Sequence, residues 1–278
     1  MTFMNHCGAG KVSLQRLELL TPPEQTETYV PVGHDWLALQ VKEIGCEYLG
    51  DCIESQYSVN NDGNQLFGVH KFMSSLSKDM CITLGFRNSY DKTMSVGLVG
   101  GANVFVCDNM AFYGQEKRLR KHTKNVFLDV EKYIKEICAY VSGGGWEKFL
   151  AFKDTMADIE LTDDEAFKFL GLCRGNDALR ATQFNRALGE WKKPAHEEWL
   201  PRTAWSLYNA CTEALKSSNP LEVTNKYLGL NHLAMIEWDK PEPEVEPEQP
   251  KEVVGVDFIR GIQTQQLANR FQMLEMGD

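Results

Sequence analysis

Lys117, Arg118, Arg120, Lys121 and Lys124 put five formal positive charges into eight consecutive residues of a chain whose net charge is −10. Ammonium and guanidinium groups at that density suit phosphate, and His122 stands inside the same run. Just ahead of it, Phe112 and Tyr113 are aromatics of the kind that stack on unpaired bases, while Arg87 and Asn88 offer further donors from an earlier segment. The chemistry these side chains suit is the binding of single-stranded nucleic acid, DNA or RNA, without a covalent step. The competing reading of the run is a solvated face at the start of a helix.

Catalysis finds less support. No GxGxxG follows a strand, and there is no GxxxxGK[ST], HExxH or GxSxG. The six histidines are scattered, and only His34-Asp35 and His196-Glu197-Glu198 pair imidazole with carboxylate as a transition metal would want. No catalytic residue, metal or other cofactor is expected. An enzyme of unfamiliar type would have to gather Arg87, Asn88, Asp91, Asp108 and His122 at strand ends. The eight cysteines lack any short paired spacing and read as reduced core residues.

Charge is unevenly distributed. Eight acids and two lysines between Glu237 and Asp257 contribute −6, and the residues beyond balance, so the first 236 residues carry only −4. A nearly neutral body can bear a local basic stripe. No apolar run reaches the roughly 20 residues a spanning helix needs, and no signal peptide is visible, so a cytoplasmic protein that meets no membrane is expected.

The elements that must carry these residues fall into two halves. Tyr57–Asn60, an Asn61-Asp62-Gly63-Asn64 turn and Gln65–His70 form a hairpin pattern, with Asp-Gly supplying positive φ. Further strands are predicted at 80–86, 93–99 and 103–107, the last two split by a Gly100-Gly101 turn. From Asp129 the period turns helical, with Val130, Ile134, Ile137, Cys138 and Val141 on one face, and Ser142–Gly145 closing the segment. Helices follow at 146–157, 162–172, 176–188 and 201–216, and Thr162 with Glu165 forms a capping box. The class is α+β: an antiparallel β-meander in the N-terminal half, then a helical C-terminal half. The expected divisions are a β-rich region (1–128), a helical region packed on it (129–238), an acidic Pro/Glu linker (239–257) and a short amphipathic helix (258–278). That last segment would dock on this chain, a second copy or a protein partner.

Arg87-Asn-Ser-Tyr-Asp-Lys92, Val106-Cys-Asp-Asn109 and Arg120-Lys-His-Thr123 together resemble the phage/plasmid-like protein family, a domain of unknown function found in phages, plasmids and prophages. The helix at 202–213 is similar to the family's C-terminal helix, and the likeness covers roughly residues 30 to 236. It implies a setting in mobile-element DNA metabolism, with a distant fold-level similarity to phage single-strand annealing proteins. A homo-oligomer is expected, since a handful of phosphate contacts holds a strand only when subunits act together. Reversing Lys117, Arg118, Arg120 and Lys121 to glutamate is expected to abolish binding with the fold intact. The alternative is a protein-binding module aimed at a host defence or replication protein, acting through acidic surface and the Trp-rich helical half, although tryptophans there also suit a core.

Overall fold

Residues 10–104, 109–111 and 117–239 are described by the computed structural model. The strands form one seven-stranded sheet paired antiparallel throughout, and its central strands are buried on both faces. β1 (Gly10–Val12) pairs with β2 (Cys52–Asn60), which turns into β3 (Gln65–Phe72) in the register Asn60↔Gln65. Asp62 (φ 55°) and Gly63 (φ 90°) supply the left-handed backbone expected of that turn. β4 (Met80–Ser89) and β5 (Val96–Val104) continue the meander.

One strand boundary was misplaced by the sequence. β5 runs straight through Gly100 and Gly101, which pair with Leu84 and Thr83, so no turn divides it. The reason is a crossing helix rather than a bend: a Cβ on Gly100 would lie 3.1 Å from Ile137 Cγ2 of α3 (Val126–Tyr140). The second edge of β5 is shared by β6 (Asn109–Ala111), opposite 102–104, and β7 (Lys117–Arg120), opposite 96–99. The basic run therefore opens as an edge strand, not as the start of a helix.

Two helices precede the meander, α1 (Leu14–Glu18) and α2 (His34–Leu49), and neither was anticipated. Leu37, Ala38, Val41 and Ile44 recur at helical spacing and are buried. α2 lies close on the sheet because Gly45 has no side chain; a Cβ there would fall 2.3 Å from the Phe72 ring. α3 packs beside α2 and ends where Ser142–Gly145 is expected to close it: Gly143 and Gly144 (φ 105°) leave helical geometry, and the chain kinks there into α4 (Trp146–Asp158).

The helical half continues with α5 (Asp163–Gly175), α6 (Ala181–Lys192), α7 (Ala204–Leu215) and α8 (Pro220–Trp238), the last also unanticipated. Thr162 and Glu165 form the reciprocal capping box, Thr162 N–H donating to Glu165 Oε2 at 2.8 Å. α7 is buried almost all round, so the other helices pack about it. Buried apolar residues from Leu17 to Trp238 join in one cluster that sheet and helices share, and Trp191, Trp205 and Trp238 belong to it. Among the described residues no helix is long and apolar enough to cross a membrane. The acidic linker beyond Asp239 and the helix expected at 258–278 lie outside the described residues.

Candidate nucleic-acid interface

Side chains alternate along a strand, and that alternation divides the basic run between the two faces of the sheet. Arg118 stands opposite Leu98 and Arg120 opposite Val96, on the face that α3 covers. Arg118 Nε meets Glu136 Oε2 at 3.3 Å. Arg120 Nε donates to Asp129 Oδ2 at 2.6 Å, and its two terminal nitrogens reach Thr123 Oγ1 and the Lys124 carbonyl, each at 2.9 Å. Two of the five charges thus meet carboxylates of α3 and clamp the edge strand to that helix.

Lys117, opposite Val99, and Leu119, opposite Gly97, point the other way. Lys117 Nζ donates to Asn225 Oδ1 of α8 at 2.5 Å. Arg87 of β4 also pairs with Gly97, and its stem lies across that glycine: a Cβ there would come within 2.9 Å of Nε and 3.0 Å of Cγ. Arg87 and Lys117 share a small cleft with Val223 and Thr224 of α8. Burial, and then the Arg87 charge, hold the Lys117 ammonium below its ordinary pKa, and burial lowers Arg87 as well. Lys121 and Lys124 follow the strand and are exposed.

Asn88 and His122 do not face solvent, which corrects their assignment as donors to a bound strand. Asn88 is fully buried and His122 nearly so. His122 Nε2–H donates to Asn88 Oδ1 at 2.7 Å, while Asn88 Nδ2 donates to the Val32 carbonyl (2.6 Å) and to His34 Nδ1 (3.0 Å). His34 Nε2–H then donates to the Gly63 carbonyl at 3.1 Å. His34 must be neutral for this set of bonds, since its Nδ1 accepts while its Nε2–H donates. Burial pushes the His34 pKa down to about 4 and lowers that of His122. The Tyr90 ring stacks on His34 at 3.7 Å, and its hydroxyl accepts from the His34 backbone N–H at 2.9 Å. Tyr29 stacks on His122 and carries Lys92 over its ring at 4.8 Å.

The sequence had flagged His34 only as half of a metal pair with Asp35, yet both of its ring nitrogens are spent inside the network. Among the described residues no group of three or more His, Cys, Asp or Glu side chains could hold a metal ion. The signal available was the helical spacing of Leu37, Ala38, Val41 and Ile44, which places His34 in the first turn of α2. Phe112 and Tyr113 lie outside the described residues.

Two of the three segments that carry the resemblance, 87–92 and 120–123, therefore meet in space through the Asn88–His122 hydrogen bond, and 106–108 of the third lie outside the described residues. A family model described as "Domain of unknown function (DUF932)" matches residues 28–249. The chain belongs to that family. No curated protein and no solved structure matches it. Within the family region, Asn88, Tyr90 and His122 hold the loop before α2 and the turn after β7 against β4, so these motif residues organise the scaffold that supports the basic edge.

Proposed function

We propose that this chain binds single-stranded nucleic acid as a DNA-metabolism accessory factor of a phage or other mobile element, with strand annealing as the activity it serves. The observation that supports this best is the clamped edge strand. Arg118 and Arg120 fix β7 to α3, leaving Lys121 and Lys124 in solvent and Lys117 and Arg87 on the adjoining sheet face. A fixed backbone bearing lysines neutralises phosphates without having to order the chain first, and reads no base edge. Four cations per chain hold a strand well only when several copies act together, so a homo-oligomer is part of the proposal. The resemblance to the phage/plasmid-like family supplies the mobile-element setting. The protein-interaction alternative loses one support, because Trp191, Trp205 and Trp238 are core residues.

The experiment is fluorescence anisotropy with labelled oligo(dT) and with duplex DNA at several salt concentrations. Single strands should bind in preference to duplex, with a slope of log K on log salt of about −2.8, taking about −0.7 for each of four phosphates. Lys121→Glu with Lys124→Glu should weaken binding about tenfold or more and leave the melting temperature unchanged. Reversal of Arg118 and Arg120 is the wrong test: contrary to the sequence-based expectation, glutamates there would face Glu136 and Asp129 and disturb the fold. Salt-independent binding, or full affinity in the double variant, would overturn the proposal and favour a protein partner.

A further inference from the structure

α8 buries an amide that the fold does not satisfy. Asn231 is only 5% exposed, its Oδ1 meets no donor, and its Nδ2 reaches no better acceptor than the Met235 sulfur one turn on, at 3.6 Å. A thioether is a weak acceptor. An acceptor buried without a donor destabilises a fold, and leucine would fill the same place without that penalty. The side chain suits a partner from outside the chain.

That amide borders a pocket between α4 and α8 with a free space of about 350 Å³, at the small end of the range of about 300–1,000 Å³ for small-molecule sites. Phe152 and Tyr140 give it aromatic walls, Met235 borders it beside Asn231, and Lys148 and Asp239 bring one charge of each sign. The described lining thus carries no net charge, which favours an uncharged ring over a phosphate.

Gly145 sets the Tyr140 ring in place. A Cβ there would fall 2.7 Å from Tyr140 Cε1, so the ring rests against the backbone at the kink between α3 and α4. Tyr140 is 38% exposed, which leaves ring surface for a second ring to stack on. Met235 is unbranched and 41% exposed, so it can swing away from the amide. Asn231 then presents an acceptor and a donor side by side, the pair that adenine complements through its amino group and ring N7.

We propose that the α4–α8 pocket binds a nucleobase, adenine by preference, stacked on Tyr140 and read by Asn231 once Met235 is displaced. The adenine comes either from a free nucleoside or from a base within a strand; the second source rests on the single-strand proposal and the first does not.

The test titrates the full chain calorimetrically with adenosine, thymidine, oligo(dA) and oligo(dT). Adenosine bound in preference to thymidine identifies a nucleoside site. Oligo(dA) bound in preference to oligo(dT), without adenosine binding, identifies a site for a base in a strand. Asn231→Leu and Tyr140→Ala should each weaken the preferred ligand about tenfold, and Asn231→Leu should leave oligo(dT) affinity unchanged. If Asn231→Leu fails to fold, Tyr140→Ala decides, since that ring is partly in solvent. No preference for adenine in either pair, or a preference that the variants leave intact, would overturn the pocket. Equal, salt-dependent binding of the two oligonucleotides without adenosine binding removes the pocket and spares the single-strand proposal. Adenosine binding with neither oligonucleotide bound does the reverse.

Discussion

Lowering the pH from 7 to 5 should remove about 4 kcal/mol of stability through His34 and His70 alone. Both imidazoles are fully buried, and burial depresses each pKa from 6.5 to about 4. His70 Nε2–H donates to the Ala38 carbonyl and Nδ1 meets Ser55 Oγ, each at 2.9 Å, and Lys42 pushes its pKa further down. Asp35 and Asp91 work in the opposite direction on His34, and His122 in the same direction as burial, but loss of water dominates. Between about pH 6.5 and 4 the unfolded chain takes up protons at these sites and the folded chain does not. Stability therefore rises with pH across that window and falls as the solution is acidified. Each pH unit of that window costs about 1.36 kcal/mol per site, hence about 2 kcal/mol for each histidine at pH 5. Urea denaturation at pH 7, 6 and 5 measures the loss above the range where ordinary carboxylates titrate. His70→Gln keeps an N–H for the Ala38 carbonyl and cannot titrate, so its loss over the same interval should be about 2 kcal/mol smaller than that of the wild type. Equal slopes for the two proteins, or a wild-type stability that does not change from pH 7 to 5, would refute the reasoning.

Other outcomes can be checked in the same way. Arg120→Ala should cost about 1.5–3 kcal/mol, the range for hydrogen bonds to a charged group, whereas Lys121→Ala should stay within about 0.5 kcal/mol; urea midpoints distinguish them. Asn88→Ala strands the His122 N–H, the His34 Nδ1 acceptor and the Val32 carbonyl, and should cost about 3 kcal/mol, read by calorimetry. Gly68→Ala would set a Cβ 2.1 Å from the Phe86 ring, an overpacking that should cost about 1–3 kcal/mol and lower the thermal midpoint.

Features made by neighbours in the chain were legible. The Asp62-Gly63 turn, the Thr162–Glu165 capping box and the periodic face of α3 each depend on residues within a few positions of one another. Gly100-Gly101 misled because glycine marks both a turn and a close backbone approach, and only the position of α3 tells which. α2 was missed for a related reason: its apolar stripe becomes a helix face only against a sheet that supplies Phe72 and Leu84.

The candidate site divides along the same line. By itself the sequence determined that positive charge is concentrated at 117–124, since composition is a local property. It also singled out 87–92, 106–109 and 120–123 as segments that resemble a known family. Tertiary structure decided what each residue there can touch. The two-residue period of β7 turned Arg118 and Arg120 toward the acids of α3 and Lys117 toward Arg87. The same fold buried Asn88 and His122, 34 positions apart, in one hydrogen-bonded network. A strand's facing depends on its register with neighbours and on what covers each face, and neither is written in the order of residues along one segment.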